Sequence, residues 1–134
     1  MGTNLIGQRC EVFNSDMMLK TSKTHYRYPD VMVSCHSGNE NEMFLVSPVL
    51  LVEVMSHGTR KVDKEIKRLE YLQLLDLLEY VLIEQDFVEI EVLRQSQGWQ
   101  PSYYYLGNEV WFESIGSRLP VADVYEPVVN KDIL

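Results

Sequence analysis

Between Val49 and Met55 the chain is nearly continuous aliphatic sequence, broken only by Glu53. A short apolar run of this kind predicts a strand buried on both faces. After Ser56 to Thr59, a polar stretch with one glycine, the periodicity becomes helical. Val62, Ile66, Leu69 and Leu72 recur at helical spacing, and Leu74, Leu75 and Leu78 prolong the apolar face. Thr59 or Ser56 is placed to cap the start of that helix. Upstream, Cys10 to Phe13 and Met17 to Lys20 read as short strands around the turn-forming Asn14-Ser15-Asp16. Tyr28 to Cys35 follows as another strand, with Pro29 at its start, where a missing N–H is tolerated. His36 to Glu42 is a loop by composition.

Downstream of the helix, Glu79 to Gln85 and Val88 to Arg94 alternate in the manner of paired strands. Ser96-Gln97-Gly98 turns into Trp99 to Leu106, and Gly107-Asn108 turns into Glu109 to Glu113, which together read as a β-meander. Leu119 to Tyr125 suggests a short helical turn. Strands, one long helix, then more strands predict an α/β fold around a mixed sheet.

Length and composition narrow the class. The chain has 134 residues, 46% hydrophobic and 24% charged, the balance of one globular domain spanning 1–134. Its longest apolar runs, such as Pro48 to Val52, are too short to cross a bilayer, so the chain reads as soluble and cytoplasmic. Cys10 and Cys35 do not form a disulfide framework and read as core cysteines. A net charge of -8 argues against a broad basic surface for duplex DNA, although Arg60, Lys61, Lys64, Lys67 and Arg68 crowd into one segment. There is no Gly-rich phosphate loop, no Gly-x-Ser-x-Gly elbow and no His-Glu-x-x-His.

Glu53 is the most informative position for chemistry. Strand alternation places Val49, Leu51, Glu53 and Met55 on one face. A carboxylate among such neighbours costs several kcal/mol, about, to desolvate unless it is paired, protonated or bound to a cation. On the residues alone, a metal ligand and a paired buried glutamate fit equally. Asp30 opens the preceding strand, where it could face Glu53; two converging carboxylates suit a hard divalent cation, although a turn or cap aspartate is the simpler reading. Lys67 stands one helical turn from Asp63 and another from Tyr71. It reads either as a surface cation paired with Asp63 or as a cation reaching the Glu53 gap to stabilise charge on water or phosphate. Tyr103, Tyr104, Tyr105 and Trp111 offer either core packing or stacking surfaces for bases.

In order, the chain carries Tyr28-Pro29-Asp30-Val31, then Pro48-Val49-Leu50-Leu51-Val52-Glu53-Val54-Met55-Ser56, then Thr59-Arg60 with Asp63, Lys67 and Tyr71. Glu79-Tyr80-Val81-Leu82-Ile83 and Leu119-Pro120 continue the series. This ordered set resembles the Uma family of restriction endonucleases, within the PD-(D/E)xK nuclease superfamily. The resemblance implies a restriction-endonuclease-like mixed β-sheet, with one long helix after the Glu53 strand and a C-terminal β-meander. It implies a metal-dependent endonuclease that hydrolyses phosphodiester bonds of nucleic acid, DNA in the first place. Asp30, Glu53 and the backbone carbonyl of Val54 would hold Mg²⁺ or Mn²⁺, and Lys67 would be the catalytic cation. In the simpler superfamily pattern the lysine stands two residues after the glutamate, where this chain has Met55; the resemblance supplies it from the helix instead.

Family members begin with a further segment, including a helix that contributes a supporting glutamate and covers the sheet. Asn4-Leu5-Ile6-Gly7 resembles the end of that region, and Ser56-His57-Gly58-Thr59 stands where a serine-proline-serine-threonine stretch is usual. Loss of that cover would expose apolar surface and favour a homodimer. Two other readings stand beside the nuclease. One is a catalytically inactive nuclease-fold module for binding or assembly; the other is a purely structural network of Asp30, Glu53 and Lys67.

Overall fold

A computed structural model describes residues 10–35, 44–45, 47–56 and 60–126. The expected loop at 36–42, the Asn4–Gly7 match, the Thr59 cap and the 57–59 loop lie outside the described residues, as do the side chains of 60–63.

The chain folds as a mixed α/β structure. Its strands are β1 (Glu11–Asn14), β2 (Met18–Lys20), β3 (Tyr26–Arg27), β4 (Val31–Ser34), β5 (Phe44–Leu45), β6 (Leu50–Met55), β7 (Glu79–Glu84), β8 (Ile90–Arg94), β9 (Pro101–Tyr104), β10 (Glu109–Phe112) and β11 (Ser117–Pro120). Helix α1 (Arg60–Tyr71) joins β6 to β7. Six strands form the main sheet in the order β1-β4-β6-β7-β8-β9, in which only β6 and β7 run parallel. That parallel pair needs a crossover, and α1 supplies it. A small sheet β3-β2-β5 and a hairpin β10-β11 complete the fold.

The expected meander is β7-β8-β9, after which the chain leaves the main sheet. Gly98, at φ 64°, supplies the left-handed turn before β9. Strand β10 then pairs with β11 rather than with β9. The segment expected as a helical turn is divided: Ser117–Pro120 is strand, and 121–126 is helical. The segment expected as a strand from Tyr28 to Cys35 is shorter, since only Val31–Ser34 join the main sheet, and the two-residue strand Tyr26–Arg27 that precedes it pairs with β2. Sequence reading gave no warning of β5, a two-residue strand.

Period-two alternation gives the central sheet two buried faces. Val33, Leu50, Val81, Ile83, Ile90 and Val92 pack beneath Val110 and Phe112 of the hairpin and beneath Val121 and Tyr125. On the other face, Met32, Leu51, Met55, Tyr80, Leu82 and Leu93 pack against Tyr71, Leu74 and Leu77, with Leu19 and Leu45 of the small sheet. Val49 belongs to the first face, not with Leu51 and Glu53, because it lies in a bend before the strand begins and escapes the alternation.

Buried polar groups fasten the hairpin side. Glu79, fully buried, accepts from Arg94 Nε at 3.0 Å, from the amides of Glu113 and Ser114 at 2.9 and 2.8 Å, and from Ser114 Oγ at 2.6 Å. The Tyr125 hydroxyl lies among the carbonyls of Glu84, Phe87 and Glu89 and accepts the Glu89 amide at 3.0 Å. Cys10 and Cys35 are joined as a disulfide, contrary to the expectation of two core cysteines. They face each other in the continued β1–β4 register, one position beyond the Glu11–Ser34 pair, which places the two sulfurs together.

Removing the Glu79 carboxylate leaves the Arg94 guanidinium buried without its counter-charge. Glu79→Ala is expected to lose about 3–5 kcal/mol of stability, measured by urea unfolding; a loss below about 1 kcal/mol would contradict the fastening role.

Candidate active site

The described part of α1 turns its apolar residues away from the sheet, although Leu72 and Leu74 just beyond it pack inward as their spacing predicts. Ile66 and Leu69 are 50% and 68% exposed, and Leu75, beyond the end of the helix, is 92% exposed. Lys64, Lys67 and Tyr71, spaced by three and four residues, turn towards the sheet instead. Two sheet carboxylates account for the inversion. Glu53 and Glu91 are only 4% and 8% exposed. Leaving either uncompensated costs several kcal/mol, against about 1.5–3 kcal/mol gained by burying one aliphatic side chain. The polar stripe wins.

Strand register assembles the acids. Val31 faces Val52 in the antiparallel β4–β6 pair, so Asp30, one position before β4, continues that register opposite Glu53. Glu53 is level with Leu82, Leu82 with Glu91, and Glu91 with Tyr103. One row across the sheet therefore runs Asp30, Glu53, Leu82, Glu91, Tyr103, with α1 above it.

Glu53 Oε2 accepts the Tyr71 hydroxyl at 2.8 Å and lies 3.5 Å from Lys67 Nζ. Asp30 Oδ2 accepts the Val54 amide at 2.7 Å. The side chain thereby extends the ladder where strand pairing by the β4 backbone has ended. Burial pushes the Glu53 carboxyl above the usual range, opposed by Lys67 and by the Tyr71 hydrogen bond; the charge of Asp30 and a hydrogen bond to it raise it further. Asp30 is thus close enough to Glu53 for its charge to be felt. Burial also pushes the Tyr71 phenol far up, reinforced by the Glu53 charge, so Tyr71 acts here as a donor that does not titrate.

Of the residues that sequence reading singled out, Asp30, Glu53 and Lys67 come together, and Val54 joins them through its amide. Tyr71 went unassigned as a contact, and the Lys64–Glu91 pair, at 2.7 Å, was missed altogether. The interrupted apolar run that exposed Glu53 had a weaker counterpart in Ile90-Glu91-Val92-Leu93, which was read as simple alternation. Beside Tyr71, Glu70 anchors α1 to the small sheet through Arg27 Nε and Nη2 at 3.0 and 2.7 Å.

Two carboxylates, rather than three, converge. Among the described residues no group of three or more His, Cys, Asp or Glu is gathered to hold a metal ion. A pair of carboxylates with room for water oxygens is nonetheless a donor set that suits Mg²⁺ or Mn²⁺. The raised Glu53 carboxyl, with Asp30 beside it, marks an excess of negative charge that a cation could relieve. A cavity of about 420 Å³, lined by Lys20, Thr21, Phe44 and Asp76 among others, contains none of these groups.

Comparison with known proteins gives the family and the fold. Residues 3–121 match the Uma2 family model, described as "Putative restriction endonuclease". The chain is 30% identical over 126 residues to uncharacterized protein slr1290 of Synechocystis sp., covering 91% of this chain and 66% of that protein. It is 36% identical over 91 residues to uncharacterized protein sll1609 of the same organism, covering 64% of this chain and 51% of that one. The chain therefore spans about two thirds and one half of these relatives. A crystal structure from Anabaena variabilis, described as a putative nuclease belonging to DUF820, superposes with a TM-score of 0.68 at 20% identity, covering 92% of this chain and 73% of that one. It is similar in fold.

Two outcomes follow from the raised Glu53 carboxyl and its phenol partner. A raised carboxyl favours the folded state below its unfolded value of 4.5, and that contribution is lost as pH rises through the higher folded value. In chelator, Glu53→Gln should therefore gain stability relative to the unaltered protein as pH climbs above 4.5; a difference that stays flat with pH would contradict the assignment. Tyr71→Phe, which deletes only the hydroxyl, should cost about 1–3 kcal/mol in urea unfolding at neutral pH and raise the Glu53 carboxyl further.

Proposed function

The chain belongs to the Uma2 family, described as "Putative restriction endonuclease", and we propose that it is a metal-dependent endonuclease acting on nucleic acid, DNA in the first place. The observation that carries this reading is the convergence of Asp30 with Glu53 beneath Lys67.

In this reading Asp30 and Glu53 hold Mg²⁺ or Mn²⁺, with the Val54 carbonyl as a further ligand. Tyr71 and Lys67 both address Oε2 of Glu53, and Oε1 would be the oxygen that meets the cation. The Val54 amide fixes the Asp30 carboxylate, so the two acids need little rearrangement to bind. A bound divalent cation would supply Lewis-acid polarisation of the scissile phosphate. Lys67, only partly buried, sits where its ammonium can bind the anionic phosphate and stabilise charge gathering on its oxygens during in-line attack by water. Tyr71 keeps Glu53 oriented and ionised.

The proposal includes a cytoplasmic location, where the Cys10–Cys35 bridge would be the oxidised form of a reducible pair. No described helix is long and apolar enough to cross a membrane. It also includes a homodimer, for which the aliphatic side chains left exposed on α1 supply a reason. A single monomeric species in sedimentation across a wide concentration range would remove that part.

Mn²⁺ titrated calorimetrically into the protein should give a binding isotherm that Glu53→Gln and Asp30→Asn abolish. Incubation of DNA or RNA with Mg²⁺ or Mn²⁺ should give cleavage that Glu53→Ala removes and that Lys67→Met slows about 100-fold or more. Metal binding without cleavage would favour the inactive binding module. Absence of both would reduce Asp30, Glu53 and Lys67 to a structural charge network.

A further inference from the structure

The Lys64–Glu91 pair repeats the Lys67–Glu53 arrangement one helical turn earlier and two strands further along the same row. Its ammonium lies 2.7 Å from Glu91 Oε1, with the lysine side chain 29% exposed and that of Glu91 10% exposed. A semi-buried ion pair of this kind does little better than break even against apolar packing, so stability alone gives little reason for it. An ammonium carries three protons, and Glu91 engages it from the sheet side while solvent reaches it from the other. Next in the row stands Tyr103, 47% exposed, paired in register with Glu91. Burial pushes its phenol up, Glu91 adds to this and Lys64 opposes it, which places the ring beside the ion pair.

In a chain of net charge -8, α1 sets two ammonium groups, Lys64 and Lys67, over this row. Glu53 and Glu91 are separated by two strand spacings, about 10 Å, roughly the rise of three stacked nucleotides along one strand. A polynucleotide whose phosphate lies at Lys67 would therefore bring a second phosphate, one to three nucleotides away, to Lys64.

We propose that Lys64, Glu91 and Tyr103 form a nucleotide subsite flanking the cleavage point, in which Lys64 binds a backbone phosphate and Tyr103 stacks a base. This rests on the nuclease reading and goes beyond it in assigning the direction of the strand across the sheet, from β6 towards β9. Glu91 acts as a positioning residue. It holds the ammonium above the sheet and limits affinity, so that the strand can leave.

The test is binding of a short fluorescein-labelled single-stranded DNA in chelator, followed by anisotropy over a range of salt. Lys64→Gln should weaken binding about fivefold or more and lower the slope of log affinity against log salt by about 0.7, the loss of one phosphate contact. Glu91→Gln, which frees the ammonium, should bind as tightly as the unaltered protein or more tightly. A merely structural ion pair predicts instead that both substitutions weaken binding alike, and that result would overturn the subsite. The double variant Lys64→Gln/Glu91→Gln leaves no buried charge unpaired and should retain the Lys64→Gln defect; full recovery would also overturn it. Tyr103→Leu should weaken binding about fivefold or more while Tyr103→Phe does not; equal effects would remove the stacking role. If the unaltered protein does not bind the DNA even at low salt, the nucleic-acid reading itself fails. Binding that none of the substitutions alters overturns only the subsite.

Discussion

Placing ionisable acids on the buried face of a sheet obliges whatever covers that face to be polar. Glu53 and Glu91 impose this on α1, which gives up the burial of Ile66 and Leu69 to bring Lys64, Lys67 and Tyr71 inward. Much of the site's geometry follows from that exchange. The helix is oriented by charge compensation, the lysines are held over the sheet rather than in solvent, and Glu70, next to Tyr71, reaches Arg27 of the small sheet. Helix position and site chemistry thus have a common cause.

The two faces of the sheet treat acids differently. Glu79, on the hairpin side, is surrounded by donors from Arg94, Glu113 and Ser114, so its carboxylate is consumed in holding the hairpin to the sheet. Glu53 has donors crowded onto one oxygen and a second acid nearby, so burial raises its proton affinity. A satisfied carboxylate stabilises architecture; one opposed by a like charge holds its proton more tightly. Chemical potential separates the two more clearly than depth, since both are buried.

How far this was legible in the sequence depended on which interactions were local. The aliphatic run around Glu53 announced both the central strand and its misplaced acid, because alternation within one strand is a short-range property. The meander β7-β8-β9 was legible for the same reason. Helix orientation was not: helical spacing points Ile66 and Leu69 inward, and the cross-strand acids turn them outward. The departure of β10 to pair with β11 was hidden too, since turn composition does not specify which strand becomes the partner. The convergence of Asp30 and Glu53 depends on the β4–β6 register, and the residues alone could only suggest it. The family resemblance singles out the same two residues without that register.

The bond from the Val54 amide to Asp30 gives the acid a second duty, as the rung that follows the end of β4. Side chains alternate along a strand, so slippage of β4 by a single residue would put this carboxylate on the opposite side and deprive β6 of its terminal acceptor. A misaligned sheet would lose the pairing of Asp30 with Glu53 at the same moment as it lost a hydrogen bond. The meeting of the two acids is in this way a report on correct strand alignment, written into the same side chain that enforces it.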